Sequence, residues 1–148
     1  MDMITKDIYY TLEEEDNKTC ISVFHDEIQI GKAFFSYGTK DRNVWLYYIG
    51  VEPEYRRMKL GTVLLSLVEN EARARRYSYI EGKFYPKGIG QEELTAFYAR
   101  NGYTRYVDGY EKFVGKYLST TNKITPPFEI EQKGIGSKSV EDEKTRAS

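Results

Sequence analysis

The segment VEPEYRRMKLGTVLL, from Val51 to Leu65, places three cations and a glycine just before an apolar run. A helix is predicted to start there, because apolar residues recur at helical spacing at Leu60, Val63, Leu64, Leu67 and Val68. The first N–H groups of a helix lack partners and carry partial positive charge, so added cations there cost about 0.3–1 kcal/mol. The turn is therefore either a solvated helix start or a cradle for a bound anion.

The elements around this turn are predicted from apolar periodicity. Ile8–Asp16 is predicted to be a strand, and a hairpin that turns near Asp26 has arms at Thr19–Phe24 and Ile28–Phe35. Val44–Val51 is apolar on both faces, as expected of a central strand. The remaining elements are the helix from Leu60, a strand at Tyr77–Tyr85, a helix at Gln91–Gly102, and two strands joined at Asp108-Gly109. This order predicts an α/β (α+β) fold, with a mixed, mostly antiparallel sheet and a central strand–helix–strand crossover.

Composition narrows the classes of function. The 148 residues suit one well-buried domain, and a net charge of -1 argues against a general nucleic-acid surface. The polar side of the helix from Leu60 is predicted to face water with Glu69, Glu71, Arg73, Arg75 and Arg76. Its arginines lie near the helix end, where positive charge is stabilising without any nucleic acid.

The single cysteine, Cys20, allows no internal disulfide, which favours a reducing, cytoplasmic setting. No apolar run approaches the roughly 20 residues that span a bilayer, so we expect no membrane partner. No cluster of metal-ligating residues stands out, and we expect no metal. His25, the only histidine, lies in the hairpin turn and is expected to be solvated.

The chain divides into a folded unit, residues 1–118, and a flexible polar tail, residues 119–148. The tail has few large apolar residues and two adjacent prolines, with a short docking piece expected at Phe128–Ile130. The last strand hairpin offers an edge for pairing, which leaves a homodimer open.

Two motifs together resemble the GNAT acetyltransferase superfamily. Val51, Pro53, Tyr55, Arg56 and Gly61 match its pyrophosphate-binding pattern Val-x-Pro-x-Tyr-Arg-x-x-Gly-x-Gly. The segment LTAFYARNGYTRY resembles its second signature, Phe-Tyr-x-x-x-Gly-Phe, with a tyrosine in place of the last phenylalanine. The motifs stand in the family's order and about its distance apart, so the resemblance implies the GNAT fold.

Two positions depart from the family's pattern. Lys59 stands where the first glycine is expected, and it either strains the loop or adds a charge toward a pyrophosphate. Gln91 stands where many members have an asparagine that contacts the cofactor, so this contact is expected with altered geometry.

The resemblance implies an acetyl-CoA-dependent N-acetyltransferase in which a primary amine attacks the thioester directly. The strand Val44–Val51 would separate from its neighbour near Ile49-Gly50, and Tyr98 would be the general acid beside the sulfur. The residues implied to bind acetyl-CoA are Ile49, Gly50, Val51, Arg56, Arg57, Met58, Lys59, Leu60, Gly61, Thr62, Gln91 and Tyr98.

The general base and the acceptor stay open. Glu52 or Glu81 would take the proton directly or through a water. The acceptor is a small amine, a protein lysine or an N-terminus, and an aromatic-walled groove is expected from Tyr37, Tyr47, Tyr48 and Tyr85. The alternative function is a non-catalytic GNAT-like module that binds acyl-CoA or a protein partner, because Lys59 could weaken cofactor binding.

Overall fold

The structure is a computed structural model that describes residues 7–84 and 90–133. Within these residues the helices are α1 (Leu60–Ala74) and α2 (Gln91–Arg100), and a 3₁₀ helix spans Pro53–Met58. None of the described helices is both long and apolar enough to cross a membrane. The strands are β1 (Ile8–Glu15), β2 (Lys18–His25), β3 (Ile28–Tyr37), β4 (Asn43–Val51), β5 (Tyr79–Lys83), β6 (Thr104–Asp108), β7 (Glu111–Tyr117) and β8 (Glu131–Gln132).

The described strands form a single sheet in the order β6-β7-β5-β4-β3-β2-β1-β8. Neighbouring strands run antiparallel except in the pairs β4–β5 and β1–β8, which are parallel. A parallel pair requires a crossover connection, and α1 supplies it between β4 and β5. The predicted fold class is confirmed, including the central strand–helix–strand crossover.

The core lies between α1 and one side of the sheet, which we call the helix face and define by Ile21, Phe35, Val44, Leu46 and Ile80. Because side chains alternate along a strand, the intervening residues point to the opposite side. We call that side the open face and define it by Phe34, Trp45, Glu81, Tyr106 and Phe113. These residues are only partly buried.

Two predicted positions are wrong because of this division. Glu69 was expected to face water but is 0% exposed. It follows Leu65 by four residues, and therefore lies on the buried side of α1. Tyr37 was expected in an exposed groove but is 4% exposed in the core, since it pairs with Val44 on the helix face.

The buried carboxylate of Glu69 is held by three side chains. The Lys116 ammonium donates to both of its oxygens at 3.0 Å, and the Tyr103 hydroxyl donates at 2.7 Å. Arg73 lies 3.3 Å from the same carboxylate, and Lys116 also donates to the Asn101 carbonyl at 3.1 Å. The pairs connect α1 to β7 and to the residue that follows α2.

The segment after β7 differs from the flexible tail that was predicted from residue 119. Ile124, Phe128 and Ile130 pack against the core, and β8 pairs with Tyr9 and Tyr10 of β1. A few apolar residues are enough to hold this segment on the core, because its pairing with β1 adds backbone hydrogen bonds at the sheet edge. The contact at Phe128 and Ile130 fits the docking piece expected there, and the boundary at residue 118 stays a prediction.

Replacing Lys116 with alanine should destabilise the fold strongly, because it leaves Glu69 charged and buried with a lost partner. Removing one member of a buried ion pair costs about 3–5 kcal/mol. Lys112→Ala, on an exposed position of the same strand, is the matched control and should cost less than about 0.5 kcal/mol. Urea unfolding of both variants measures the difference, and equal costs would contradict a stabilising role for the pair.

Candidate active site

A cleft opens between β4 and β5, where their pairing stops. The last paired residues are Leu46 and Gly82, whereas β4 continues to Val51. A β-bulge at the same point makes Tyr47 the extra residue against β3, and bulges bend a strand. Among the described residues, β4 therefore has no strand partner on this side from Tyr47 to Val51, and its backbone groups are available to a ligand.

The basic turn follows directly from this open end of β4. Arg56 donates from Nε to the Val51 carbonyl at 3.2 Å, which ties the turn to the strand. The first carbonyl used inside α1 is that of Lys59, which accepts from Thr62 at 3.1 Å and Val63 at 3.3 Å. The N–H groups of Leu60 and Gly61 come before Thr62, the first residue that donates to a carbonyl of the helix. They therefore have no acceptor within α1, and the helix start presents free donors.

Lys59 connects the 3₁₀ helix to α1 in the left-handed conformation, with φ 60° and ψ 38°. Such a conformation costs an ordinary residue about 1–2 kcal/mol, and glycine adopts it freely. The turn therefore has the backbone shape for which a glycine is suited, although a lysine occupies it. Its side chain is exposed.

The end of α2 packs against the start of α1. A Cβ on Gly61 would lie 2.9 Å from a ring carbon of Phe97, so a larger residue would push the two helices apart. Asn101 donates from Nδ2 to the Thr62 hydroxyl at 3.3 Å and to the Phe97 carbonyl at 2.9 Å. Gly61 thus has a packing role in addition to any contact with a ligand.

A groove of about 420 Å³ lies beside this contact, and we call it the basic groove. Its walls include Lys59, Thr62, Arg100 and Asn101 from the helix ends, and Lys123 from the segment after β7. Lys116 also lines it, but Glu69 holds its ammonium. The exposed cations of the groove make it attractive to anions.

Tyr98 lies in the core near the end of α2 and is 6% exposed. Its ring centroid is 5.6 Å from that of Tyr103, and its hydroxyl has no hydrogen-bonding partner among the described residues. Burial raises the pKa of Tyr98 to about 12. The phenol therefore stays protonated at neutral pH and can act as a hydrogen-bond donor.

A model of the acetyltransferase (GNAT) family matches residues 2–103. The chain belongs to this family. No curated protein sequence matches it significantly.

Solved structures share the GNAT fold at low sequence identity. PaiA N-acetyltransferase from Thermoplasma acidophilum, in complex with coenzyme A, is 19% identical over 69% of this chain, with a TM-score of 0.59. This chain covers 62% of that protein. A GNAT acetyltransferase from Staphylococcus aureus Mu50 is 17% identical over 69% of this chain and 68% of its own, with a TM-score of 0.61. The ribosomal-protein-S18-alanine N-acetyltransferase from Escherichia coli is 16% identical over 76% of each chain, with a TM-score of 0.60.

The family motif brings most of the predicted cofactor-binding residues together. Ile49, Gly50 and Val51 lie on the open end of β4, and residues 56–62 form the turn and the start of α1. Two of them point inward, because Leu60 is 0% exposed and Met58 packs against the core. Leu60, which is fully buried, can offer a ligand only its backbone. Gln91 lies apart, exposed at the first residue of α2 and at the opposite end from Asn101.

The two candidate bases of this GNAT chain lie in different places. Glu52 is exposed beyond the end of β4, where it lines a groove of about 430 Å³ with Gly50 and Arg56. Glu81 is half-buried on the open face and pairs in register with Trp45, one step before the cleft opens. The Tyr106 hydroxyl donates to Glu81 at 2.7 Å, and Asn43 donates at 3.4 Å.

Of three further groups that the sequence analysis named, only His25 lies in surroundings that differ from those expected. His25 is not a solvated turn residue, since its Nδ1 lies 2.7 Å from the Tyr55 hydroxyl and the hairpin turn packs against the 3₁₀ helix. Tyr47 and Tyr48 are exposed on the open face, as an aromatic groove requires, whereas Tyr85 lies outside the described residues. The arginines near the end of α1 serve the fold, because Arg73 pairs with Glu69 and Arg75 with Glu14.

Sequence reasoning missed Arg100, Asn101 and Lys123 of the basic groove. Asn101 was predicted only to lie near the end of the helix Gln91–Gly102, and its contact with Thr62 depends on packing between helices. The signal that could have identified Arg100 was its cationic side chain within the second motif. Lys123 carried no local signal, because it reaches the groove from the segment predicted to be a tail.

Lys59→Gly should stabilise the protein by about 0.5–1 kcal/mol, because it relieves the left-handed backbone while making the unfolded chain more flexible. Arg76→Gly is the matched control, since Arg76 is also left-handed, with φ 64°, beyond the other end of α1. Thermal and urea unfolding of both variants should give gains of similar size. A loss of stability in Lys59→Gly alone would mean that the lysine side chain stabilises the turn.

Proposed function

We propose that this chain transfers an acetyl group from acetyl-CoA to a primary amine. The observation that carries the proposal is the connection, through Arg56 and the Val51 carbonyl, between an anion-accepting helix start and the unpaired end of β4. The junction between β4 and α1 thus combines N–H donors for a phosphate group with unpaired strand backbone for an extended ligand arm. The family of the chain supports this reading, as does the bound coenzyme A of the Thermoplasma protein.

Acetyl-CoA would supply the acetyl group as a thioester, and the site fits its anionic and extended parts. The N–H groups of Leu60 and Gly61, with Arg56, Arg57 and Lys59, would hold the pyrophosphate. The basic groove would accept the nucleotide end, next to Arg100 and Lys123. The backbone of residues 49–51 would hydrogen-bond the pantetheine arm along β4. Gln91 would make only a weaker contact, because it lies at the end of α2 that is far from the helix contact at Asn101.

Tyr98 would donate a proton to the sulfur that leaves. A thiolate needs a hydrogen bond or a proton to depart readily, since the pKa of a thiol is about 8.5. Tyr98 suits this role because burial keeps its phenol protonated and no described residue occupies its hydroxyl.

Glu81 is the better placed of the two candidate bases. The amine must lose a proton before it attacks, because a lysine amine with a pKa of about 10.4 is nearly all protonated at neutral pH. Glu81 lies next to the cleft on the face opposite the core that contains Tyr98. A carboxylate on one side and a phenol on the other would separate the two proton transfers. Glu52, or a water held by either carboxylate, stays the alternative.

The proposal also covers the acceptor, the oligomeric state, the cellular setting and the absence of a metal from the reaction. The acceptor is a primary amine of a protein or a small molecule, and a homodimer through β6, an edge strand of the described sheet, stays open. A cytoplasmic setting fits the single cysteine, Cys20. We expect no metal to take part, since the proposed steps use Tyr98, a carboxylate and backbone groups.

Calorimetric titration with acetyl-CoA and CoA tests the cradle. Arg56→Ala and Lys59→Ala should each weaken binding about tenfold, because each removes a charge-assisted contact to phosphate. Arg76→Ala, an exposed arginine at the far end of α1, is the matched control and should bind as the wild type does. Absence of binding by every form would overturn the cofactor assignment.

Tyr98→Phe should lower kcat by about 10²–10⁴ while leaving the affinity for CoA unchanged, because the phenol would act only on the departing sulfur. Tyr110→Phe is the control, since Tyr110 is fully exposed between β6 and β7 and should retain full activity. Thiol release across a panel of amines measures turnover. Tight binding of CoA without turnover on any amine would favour the non-catalytic module instead.

A further inference from the structure

A row of aromatic rings crosses the open face beside the cleft. Phe34 contacts Tyr47 with ring centroids 5.4 Å apart, and Tyr47 lies 6.3 Å from Trp45. The row continues from Trp45 to Phe113 at 6.0 Å and from Phe113 to Tyr106 at 5.4 Å. We call these five residues the aromatic row. It reaches from β3 to β6, which is about 19 Å at ordinary strand spacing.

The carboxylate of Glu81 lies within this row. Trp45 is its registered neighbour on β4, and Tyr106 donates a hydrogen bond to it. Among the described residues, no lysine or arginine forms an ion pair with Glu81. The cation two residues along β5, Lys83, is paired with Glu111 at 3.3 Å. Glu81 is thus a half-buried anion with hydrogen-bond donors but no compensating charge within the described chain.

The rings of the row also lack cations of their own. Elsewhere in the described residues, lysines or arginines lie over six aromatic rings, those of Tyr9, Tyr37, Tyr77, Phe84, Phe97 and Tyr103. None of these contacts involves the aromatic row. Ring faces attract ammonium groups, and a neighbouring carboxylate strengthens that attraction. The surface therefore has the charge distribution that suits a cation brought by another molecule.

We propose that the open face docks a polypeptide and that a lysine of this polypeptide extends over the aromatic row to place its ammonium at Glu81. The inference rests on the proposed acetyl transfer and names the acceptor class for the same cleft. The apolar stem of lysine suits ring faces, and its ammonium suits a carboxylate. An extended peptide, rather than a small amine, fits a face on which Tyr47 is 53% and Tyr48 54% exposed, since small ligands favour enclosed cavities.

The proton balance of the reaction fits this placement. The lysine ammonium gives one proton to Glu81, which passes it to solvent. The C–N bond to the acetyl carbon then forms and the C–S bond breaks. The nitrogen loses a second proton while the sulfur gains one, supplied through Tyr98. One proton is released overall, and no other reactant is needed.

Trp45 is the only tryptophan of the chain, so its fluorescence reports directly on this surface. The probe is a ten-residue glycine–serine peptide with one central lysine, titrated into the full chain without any CoA. We expect a saturable change in emission with the lysine peptide and none with the same peptide carrying norleucine or acetyl-lysine. Cadaverine should bind at least tenfold more weakly than the lysine peptide.

Variants separate the ammonium contact from folding. Glu81→Gln keeps an oxygen for Tyr106 and should weaken peptide binding at least tenfold, while CoA affinity stays unchanged. Glu13→Gln, an exposed carboxylate on β1 far from the aromatic row, is the matched control and should leave peptide binding unchanged. Equal binding of the lysine and norleucine peptides, or of cadaverine and the lysine peptide, would overturn the proposal. Failure of CoA to bind would instead overturn the proposed function and leave the fluorescence result intact.

Discussion

The contact between the two helices at the candidate site depends on the buried carboxylate of Glu69. A charge removed from water is tolerated only when it is fully paired, so the groups around it have little freedom. Lys116 meets this requirement from β7, and Tyr103 meets it from the turn between α2 and β6. Lys116 also holds the Asn101 carbonyl, and Asn101 in turn contacts Thr62 at the start of α1. A single buried charge thereby fixes the end of α2 against the helix start that would bind phosphate.

The helix start combines packing and ligand-binding requirements in neighbouring residues. Gly61 must lack a side chain for Phe97 to pack, while its N–H is one of the free donors. Lys59 lies two residues before Gly61. Its side chain is exposed, and its left-handed backbone rather than its side chain forms the turn. Changes at Gly61 therefore affect the fold and the site together, whereas the charge at residue 59 can vary with a small effect on the fold. This difference explains how a lysine can replace a family glycine without loss of the architecture.

Local patterns predicted strands β1 to β7, the two helices and the crossover because periodicity reports which side of an element is buried. The motif residues were predictable for a different reason, because their types and spacing resemble the GNAT signatures. The prediction for Glu69 was wrong because it was based on the charge of the side chain, whereas the helical repeat places this position on the buried side. The surroundings of His25 and Lys123 depended on contacts between elements distant in sequence, and no local signal reports these. Assigning Tyr98, Glu52 and Glu81 to catalytic roles stays a prediction.

The sheet separates the helix face, with its cationic helix ends, from the aromatic open face. The bulge in β4 lies where the cleft opens between these two sides. Strict alternation would send only one of Tyr47 and Tyr48 to the open face, but the extra residue at Tyr47 leaves both exposed there. Ile49 then returns to register opposite Ala33, a residue of the core. Under the proposed function, anionic cofactor groups lie on the cationic helix side, whereas a cationic acceptor meets Glu81 on the aromatic side. The two substrates would then approach the cleft from opposite faces, so neither has to pass the charges that bind the other.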